Sequence, residues 1–230
     1  MATDAAGTVG VPLAGPQGPY CTLLAIRTQL QEGEGAVAAP PTPEVRVLRG
    51  EDVLAHADAL RSVYVDAFCA PPWNEDEEKA AEFAARIPRD ARRPGFTAAL
   101  AVAGRDVLGF ASGWTTSPPF PIDRCYPQAA AGLGARRTED WLCGAFEVDE
   151  LAVRPGAQGC GLAGELLEAV TAGAPEGRSW LLTSVRAPRA MAFYHRQGWC
   201  QATHPSPDGK GIVVFLGPRH PARGLVPLPL

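Results

Sequence analysis

The stretch Phe146–Val170, FEVDELAVRPGAQGCGLAGELLEAV, sets a strand, a glycine-rich turn and a helix in immediate succession. The β-branched and apolar residues between Phe146 and Val153 favour extended chain. Pro155-Gly156 ends it, because proline gives up a ladder donor and glycine lets the chain turn. From there, Leu162, Leu166 and Val170, with Ala163 and Leu167 beside them, recur at the spacing of one helical face. Gln158, Gly159, Cys160, Gly161, Leu162 and Ala163 therefore stand where a helix presents unpaired N–H groups and the positive end of its dipole. That is a place where an anionic phosphate is stabilised, and we read the segment as a pyrophosphate cradle.

Glycine-rich strand-to-helix turns serve several nucleotide folds, and two of them are excluded by residues. No Lys-Ser or Lys-Thr follows the last glycine, so the phosphate-reaching amine and the magnesium hydroxyl of a P-loop are missing. A dinucleotide fold places its turn near the start of a repeated βαβ series, whereas this one lies two-thirds along the chain with little parallel-sheet material after it.

The remaining pattern resembles motif A of the GCN5-related N-acetyltransferases (GNAT): Gln or Arg, two residues, Gly, one residue, then Gly or Ala. Gln158, Gly161 and Ala163 fill it, with Val153 and Pro155 before it. Downstream, Ala187–Trp199, APRAMAFYHRQGW, resembles the family's closing helix and strand through Ala190, Phe193, Tyr194 and Gly198-Trp199, the last pair in place of Gly-Phe. The resemblance covers about Val45 to Leu216. It implies an α/β fold with a mixed, mostly antiparallel central sheet, flanked by helices and splayed between its fourth and fifth strands. It also implies acetyl-CoA in the splay, with the pantetheine arm pairing near Leu151, Ala152 and Val153 and the pyrophosphate on Gln158, Gly159, Cys160, Gly161, Leu162, Ala163 and Gly164. No metal is implied. Ala187 is a departure, since family members commonly carry an Asn there that touches the cofactor arm; Arg186 and Arg189 are the residues placed to compensate through the phosphates.

Acetyl transfer to an amine needs a deprotonated nitrogen, a polarised thioester carbonyl and a proton for the departing thiolate. The carboxylates of the central strand are Glu147, Asp149 and Glu150. Strict alternation puts Glu147 and Asp149 on one face and Glu150 on the other. Family bases often come from this strand, so Glu150 and Glu147 are the candidates. The resemblance makes Tyr194 the general acid, a phenol that stays protonated at neutral pH and can donate to a thiolate. Cys160 sits at a helix N-terminus but at a variable position of the motif, and His195 and His204 read as surface residues.

A chain of 230 residues suits one domain, with or without an extension, and 46% hydrophobic with 20% charged residues reads as soluble and globular. The formal charge of −4, from 21 basic and 25 acidic side chains, offers no overall basic footprint for nucleic acid or anionic membrane. Six cysteines, at 21, 69, 125, 143, 160 and 200, lack CxxC spacing, so the expected setting is a reduced cytoplasm. No stretch approaches transmembrane length.

Residues 1–44, rich in Gly and Pro, are expected as a disordered extension in which only Tyr20–Leu30 has a short apolar core. Val45–Leu48 reads as a first strand. Glu51-Asp52 then opens a helix along Val53, Ala57, Leu60, Tyr64 and Phe68, which Pro71-Pro72 ends. Asn74 is the expected N-cap of a second helix whose acidic first turn, Glu75 to Glu78, complements the dipole on a solvated face. Phe96–Ala103 and Val107–Trp114, around Gly104, form a hairpin. Thr115 to Trp141 loses periodicity and is expected as a long loop that walls the substrate site. Trp180–Val185 is a fifth strand, Pro188 opens the last helix, Trp199–Thr203 and Gly211–Leu216 close the sheet, and 217–230 is a tail.

The resulting expectation is an acetyl-CoA-dependent N-acetyltransferase of residues 45–216, acting by direct transfer to the primary amine of a small molecule. The strand acids favour a cationic one, aminoglycoside-like or polyamine-like, and a homodimer is compatible with the reading. The alternative class is an acyl-CoA-binding sensor without turnover.

Overall fold

The computed structural model describes residues 42–69, 75–208 and 210–227. Tyr20–Leu30, Pro71-Pro72 and Asn74 lie outside the described residues. Seven strands form one sheet in the order β1-β2-β3-β4-β5-β7-β6. They are β1 (Glu44–Arg49), β2 (Thr97–Ala103), β3 (Asp106–Thr115), β4 (Phe146–Val153), β5 (Ser179–Ser184), β6 (Cys200–Gln201) and β7 (Ile212–Leu216). Every neighbouring pair is antiparallel except β4 and β5, so the sheet is mixed and mostly antiparallel.

Five helices cover it: α1 (Ala57–Phe68), which follows a 3-10 stretch over Gly50–His56, then α2 (Glu77–Asp90), α3 (Tyr126–Leu133), α4 (Leu162–Thr171) and α5 (Pro188–Arg196). Strands β2 and β3 are buried on both faces because helices lie on each side. On one face, Leu162, Leu166, Leu167 and Val170 of α4 pack on Ala99, Ala111, Val148 and Val153. Completely burying a leucine such as Leu166 contributes about 2 kcal/mol, so this stripe anchors the turn that precedes it. On the other face, Leu60 and Tyr64 of α1 and Phe83 and Ile87 of α2 meet Leu100, Phe110 and Trp114.

A third cluster joins Tyr126, Ala129 and Leu133 of α3 with Trp141, Trp180, Val214 and Leu216. The segment expected as a long loop is therefore largely helical, with a short turn at Ala135–Arg137 running on as π-helical winding over Thr138–Leu142. Its buried positions do fall at helical spacing, but the alanines and glycine of YPQAAAGL give only a weak apolar contrast. The C-terminal segment also packs here. Ala222 and Val226 are buried, and the His220 ring bridges the Trp141 carbonyl and the Ala222 amide at 3.0 and 3.1 Å. Asp76, two residues beyond the expected cap, caps α2: its carboxylate accepts the Lys79 amide at 2.9 Å.

Candidate active site

Strand β4 organises the site. Its parallel pairing with β5 covers only Phe146–Val148 against Ser179–Leu181, although the two strands run on to Val153 and Ser184. Beyond that point they diverge, and from Asp149 to Val153 the edge of β4 turned away from β3 has no strand partner among the described residues. Such an open edge can pair with an extended ligand as though with another strand. Leu151 is half-buried and Ala152 and Val153 are buried, so the edge is held firmly.

The glycine turn lies at the end of that edge. The Gln158 side-chain amide donates to the Val153 carbonyl at 3.0 Å and folds the turn back on the strand. Gly159 and Gly161 adopt φ of 83° and 91°, a left-handed backbone that side chains resist, and Gly161 is the residue from which α4 starts. The Gly161 carbonyl accepts from Gly164 and Glu165 at 2.9 and 3.2 Å, while the amides of Gly159, Gly161, Leu162 and Ala163 donate to no backbone carbonyl among the described residues. A Cβ at Gly159 would meet nothing within 4 Å, so the turn is open on its outer side. Open amides at a helix N-terminus fit a pyrophosphate. Gly164 instead packs against the Gln197 side chain, tying α4 to the end of α5. The half-buried Cys160 Sγ lies 3.2 Å from the Ala157 carbonyl. Ala187 is buried where α5 begins, and Arg186 and Arg189 are exposed.

Glu150 lies on a different face from the one strict alternation implies. Ser112 lies opposite Glu150 and Gly113 opposite Val148, so Asp149 is the extra residue of a β-bulge. The bulge resets the period, putting Glu150 on the same face as Glu147, the face covered by α1 and α2, and Asp149 reaches there too. A Cβ on Gly113 would run into the Glu147 carbonyl oxygen, so the bulge requires glycine on the neighbouring strand.

All three acids are engaged. Arg86 of α2 donates through Nη1 to Asp90 (2.9 Å) and Asp149 (2.5 Å) and through Nη2 to Glu150 (2.5 Å). Arg124, just before α3, donates through Nη1 to the other Asp149 oxygen at 2.5 Å. The Tyr126 hydroxyl sits 2.9 and 2.8 Å from the two Glu147 oxygens. Thr116 reaches Glu147 at 3.5 Å and itself accepts from the Trp180 indole at 2.9 Å. A cavity of about 10 Å³, bounded by Leu60, Phe83, Arg86, Ser112, Trp114 and Asp149, has room for roughly one water.

Burial, assisted by the Asp149 charge, pushes the Glu147 carboxyl up to about 8 despite Tyr126 and Arg124. Glu150 is raised by the same two causes, against the pull of Arg86 and Arg124. Burial works against the Arg86 cation, yet Asp149 and Glu150 outweigh it and keep it charged. Tyr194 on α5 is half-buried among Phe193, Trp199 and Phe215, with ring centroids at 5.2, 6.1 and 5.9 Å. Burial and then the Glu150 charge raise its pKa. His195 and His204 are exposed.

Glu147 and Glu150 thus face Tyr126 and Arg86, while Tyr194 packs with the cluster that includes α4. Arg86, Arg124 and Tyr126 were not singled out from the sequence as parts of the site, and only the expectation that Thr115–Trp141 walls the site pointed toward the last two. Among the described residues, no group of three or more His, Cys, Asp or Glu is arranged to hold a metal, and no helix is long and apolar enough to cross a membrane.

No curated protein matches the chain. Among solved structures, it is similar to a protein from Corynebacterium glutamicum described as histone acetyltransferase HPA2 and related acetyltransferase. The TM-score is 0.54, with 19% identity over 77% of this chain and 97% of that one. An acetyltransferase from Thermus thermophilus gives a TM-score of 0.51 with 17% identity over 76% and 96%. At such identities the likeness concerns the fold. The sequence model of the acetyltransferase (GNAT) family matches residues 58–199, a span that holds the bulged and splayed β4, the glycine turn and α5. With most of its length matched and the sheet parting where that family parts it, this chain belongs to the GNAT acetyltransferases.

Proposed function

We propose that the chain is an acetyl-CoA-dependent N-acetyltransferase that passes the acetyl group directly to the primary amine of a small molecule in the cytoplasm. One observation carries the reading: at the fork where β4 leaves β5, an open strand edge runs into a turn whose amides converge at a helix N-terminus. Acetyl-CoA, when bound, supplies the activated acetyl group. The backbone of Leu151, Ala152 and Val153 holds its extended arm, and the amides of Gly159, Gly161, Leu162 and Ala163 hold the pyrophosphate.

Glu150 takes the proton from the acceptor's ammonium. Its carboxyl, raised by burial, titrates closer to neutral pH than an ordinary acid and so makes a better base there. Glu147 is the second candidate, but both its oxygens face Tyr126 and it is 4% exposed, whereas the Glu150 side chain is 16% exposed. Tyr194 Oη holds the proton that the leaving sulfur takes. Burial raises its pKa, which keeps that proton in place until the thiolate forms. Because Asp149 and Glu150 are paired with arginines and Glu147 with a tyrosine, they leave little negative charge to favour a cationic acceptor over other amines.

A second reading, coenzyme binding without turnover, draws on the same pairing, since no β4 carboxylate stands unengaged. Thiol release from acetyl-CoA across a panel of amines, with wild type and Tyr194→Phe, separates the two when run beside calorimetric titration of acetyl-CoA. Amine-dependent release that falls about 100-fold in the variant, with binding kept, is the expected result. Binding with no release from any amine would favour the sensor. Absence of binding would remove the cradle assignment.

A further inference from the structure

Resting on the transferase reading, we infer that the acceptor carries a carboxylate beside its amine and that Arg124 recognises it. Arg124 has φ of +53°, a left-handed backbone that non-glycine residues rarely adopt. Strain of this kind persists where the surroundings enforce it, and it gathers at sites that bind ligands. Here the enforcing contacts are visible: Arg124 pairs with Asp149 and, two residues on, Tyr126 bonds Glu147, so the chain before α3 is fastened to β4 at two points. Asp149 is the first residue beyond the last β4–β5 pair, which places the Arg124 guanidinium over the fork.

Charge and exposure point the same way. The Arg124 side chain is 39% exposed, while those of Asp149 and Glu150 are 2% and 16% exposed, so the group offered to an incoming molecule is the cation. Arg86 and Arg124 balance Asp149 and Glu150. Asp90 is answered by Arg89 and Arg93 as well as Arg86, and Arg93 lies over the Trp114 ring, whose strand neighbour is Glu147. Counting Glu75, which accepts the Tyr64 hydroxyl, five acids meet four arginines, but burial pushes Glu147 up to about 8, so it adds little negative charge at neutral pH.

Arg124 spends only Nη1 on Asp149; its Nε and Nη2 make no hydrogen bond to the described residues. That edge of a guanidinium matches the two oxygens of a carboxylate. An α-amino acid, or a small molecule with the same pairing of groups, would lay its carboxylate on this edge and turn its amine toward Glu150, whose ionisation already responds to Arg124.

Matched amines that differ only in the carboxylate test this: lysine against 1,5-diaminopentane, and phenylalanine against phenethylamine, in thiol release from acetyl-CoA. Wild type should favour the carboxylated member of at least one pair by about tenfold or more in kcat/KM, carried mainly by KM. Arg124→Gln should bring that ratio to within about threefold of unity, and Arg124→Lys should keep part of it. A preference for the decarboxylated amines, or a ratio that Arg124→Gln leaves intact, would overturn the inference. Calorimetry with N-acetyllysine and N-acetylphenylalanine in the presence of coenzyme A gives a readout that needs no turnover. If no amine releases thiol but either ligand binds and loses at least about tenfold in affinity in Arg124→Gln, carboxylate recognition stands and the transferase reading fails. If neither the ratio nor the affinity depends on Arg124, the recognition site is absent.

Discussion

The two sides of the β4 fork use different parts of the polypeptide. The proposed cradle is contiguous in sequence and presents the backbone amides of Gly159, Gly161, Leu162 and Ala163, shaped by two left-handed glycines and held by the apolar stripe of α4. The proposed acceptor side presents side chains: Arg86 from α2, Arg124 and Tyr126 from the insertion, and three acids from β4, with Arg86 and Asp149 63 residues apart in sequence. Backbone donors need only the correct φ and ψ, so a short stretch can specify them. A balanced set of buried charges needs distant elements to meet, and its ionisation follows from how they are buried together.

If that contrast is right, the acceptor side should be the more sensitive to a change of strand geometry. Gly113→Val forces a side chain into the Glu147 carbonyl and should destabilise the protein by about 3 kcal/mol or more, read from urea denaturation. A loss below about 1 kcal/mol would mean that β3 can retreat and that the bulge is not what holds the carboxylates together.

Glu147→Gln probes the buried acid through pH. The Glu147 pKa is about 8 when folded and 4.5 in the ordinary state, so its contribution to stability is fully present below pH 4.5 and is lost as pH rises through 8. Wild type should therefore lose on the order of 2 kcal/mol between pH 6 and pH 9 that the variant retains. Parallel pH–stability curves for the two proteins would show that Glu147 is ionised in the fold at neutral pH.

On the cradle side, Gly161→Val should raise the Kd for coenzyme A by about tenfold, because φ of 91° resists a β-branched residue where the amides converge. The carboxylate network should be untouched, so the pH–stability profile should match wild type. Tyr126→Phe, the mildest change, removes one hydroxyl and should cost about 1 kcal/mol with coenzyme affinity unchanged. Weakened coenzyme binding in that variant would show the two sides of the fork to be coupled.

Much of the fold could be read in advance. The β2–β3 hairpin, the cradle, β5, the proline-opened α5 and the closing β6–β7 pair all rest on local periodicity and on Gly or Pro at turns. Alternation failed at Asp149 because the bulge depends on β3 coming close at Gly113, a contact that β4's own residues do not encode. Helix α3 was missed because three alanines and a glycine blur its face, and the partners of Tyr126 on β4, β5 and β7 come from later in the chain.

The strand–turn–helix segment and the motif residues of α5 are legible locally, since torsional preference and apolar spacing act over a few neighbouring residues. Tertiary structure alone decided that Glu147, Asp149 and Glu150 converge, that Arg86, Arg124 and Tyr126 engage them, and that Glu147 titrates near 8. Those properties depend on dielectric burial and on charges carried in by other elements, which exist only once the sheet and its helices have assembled.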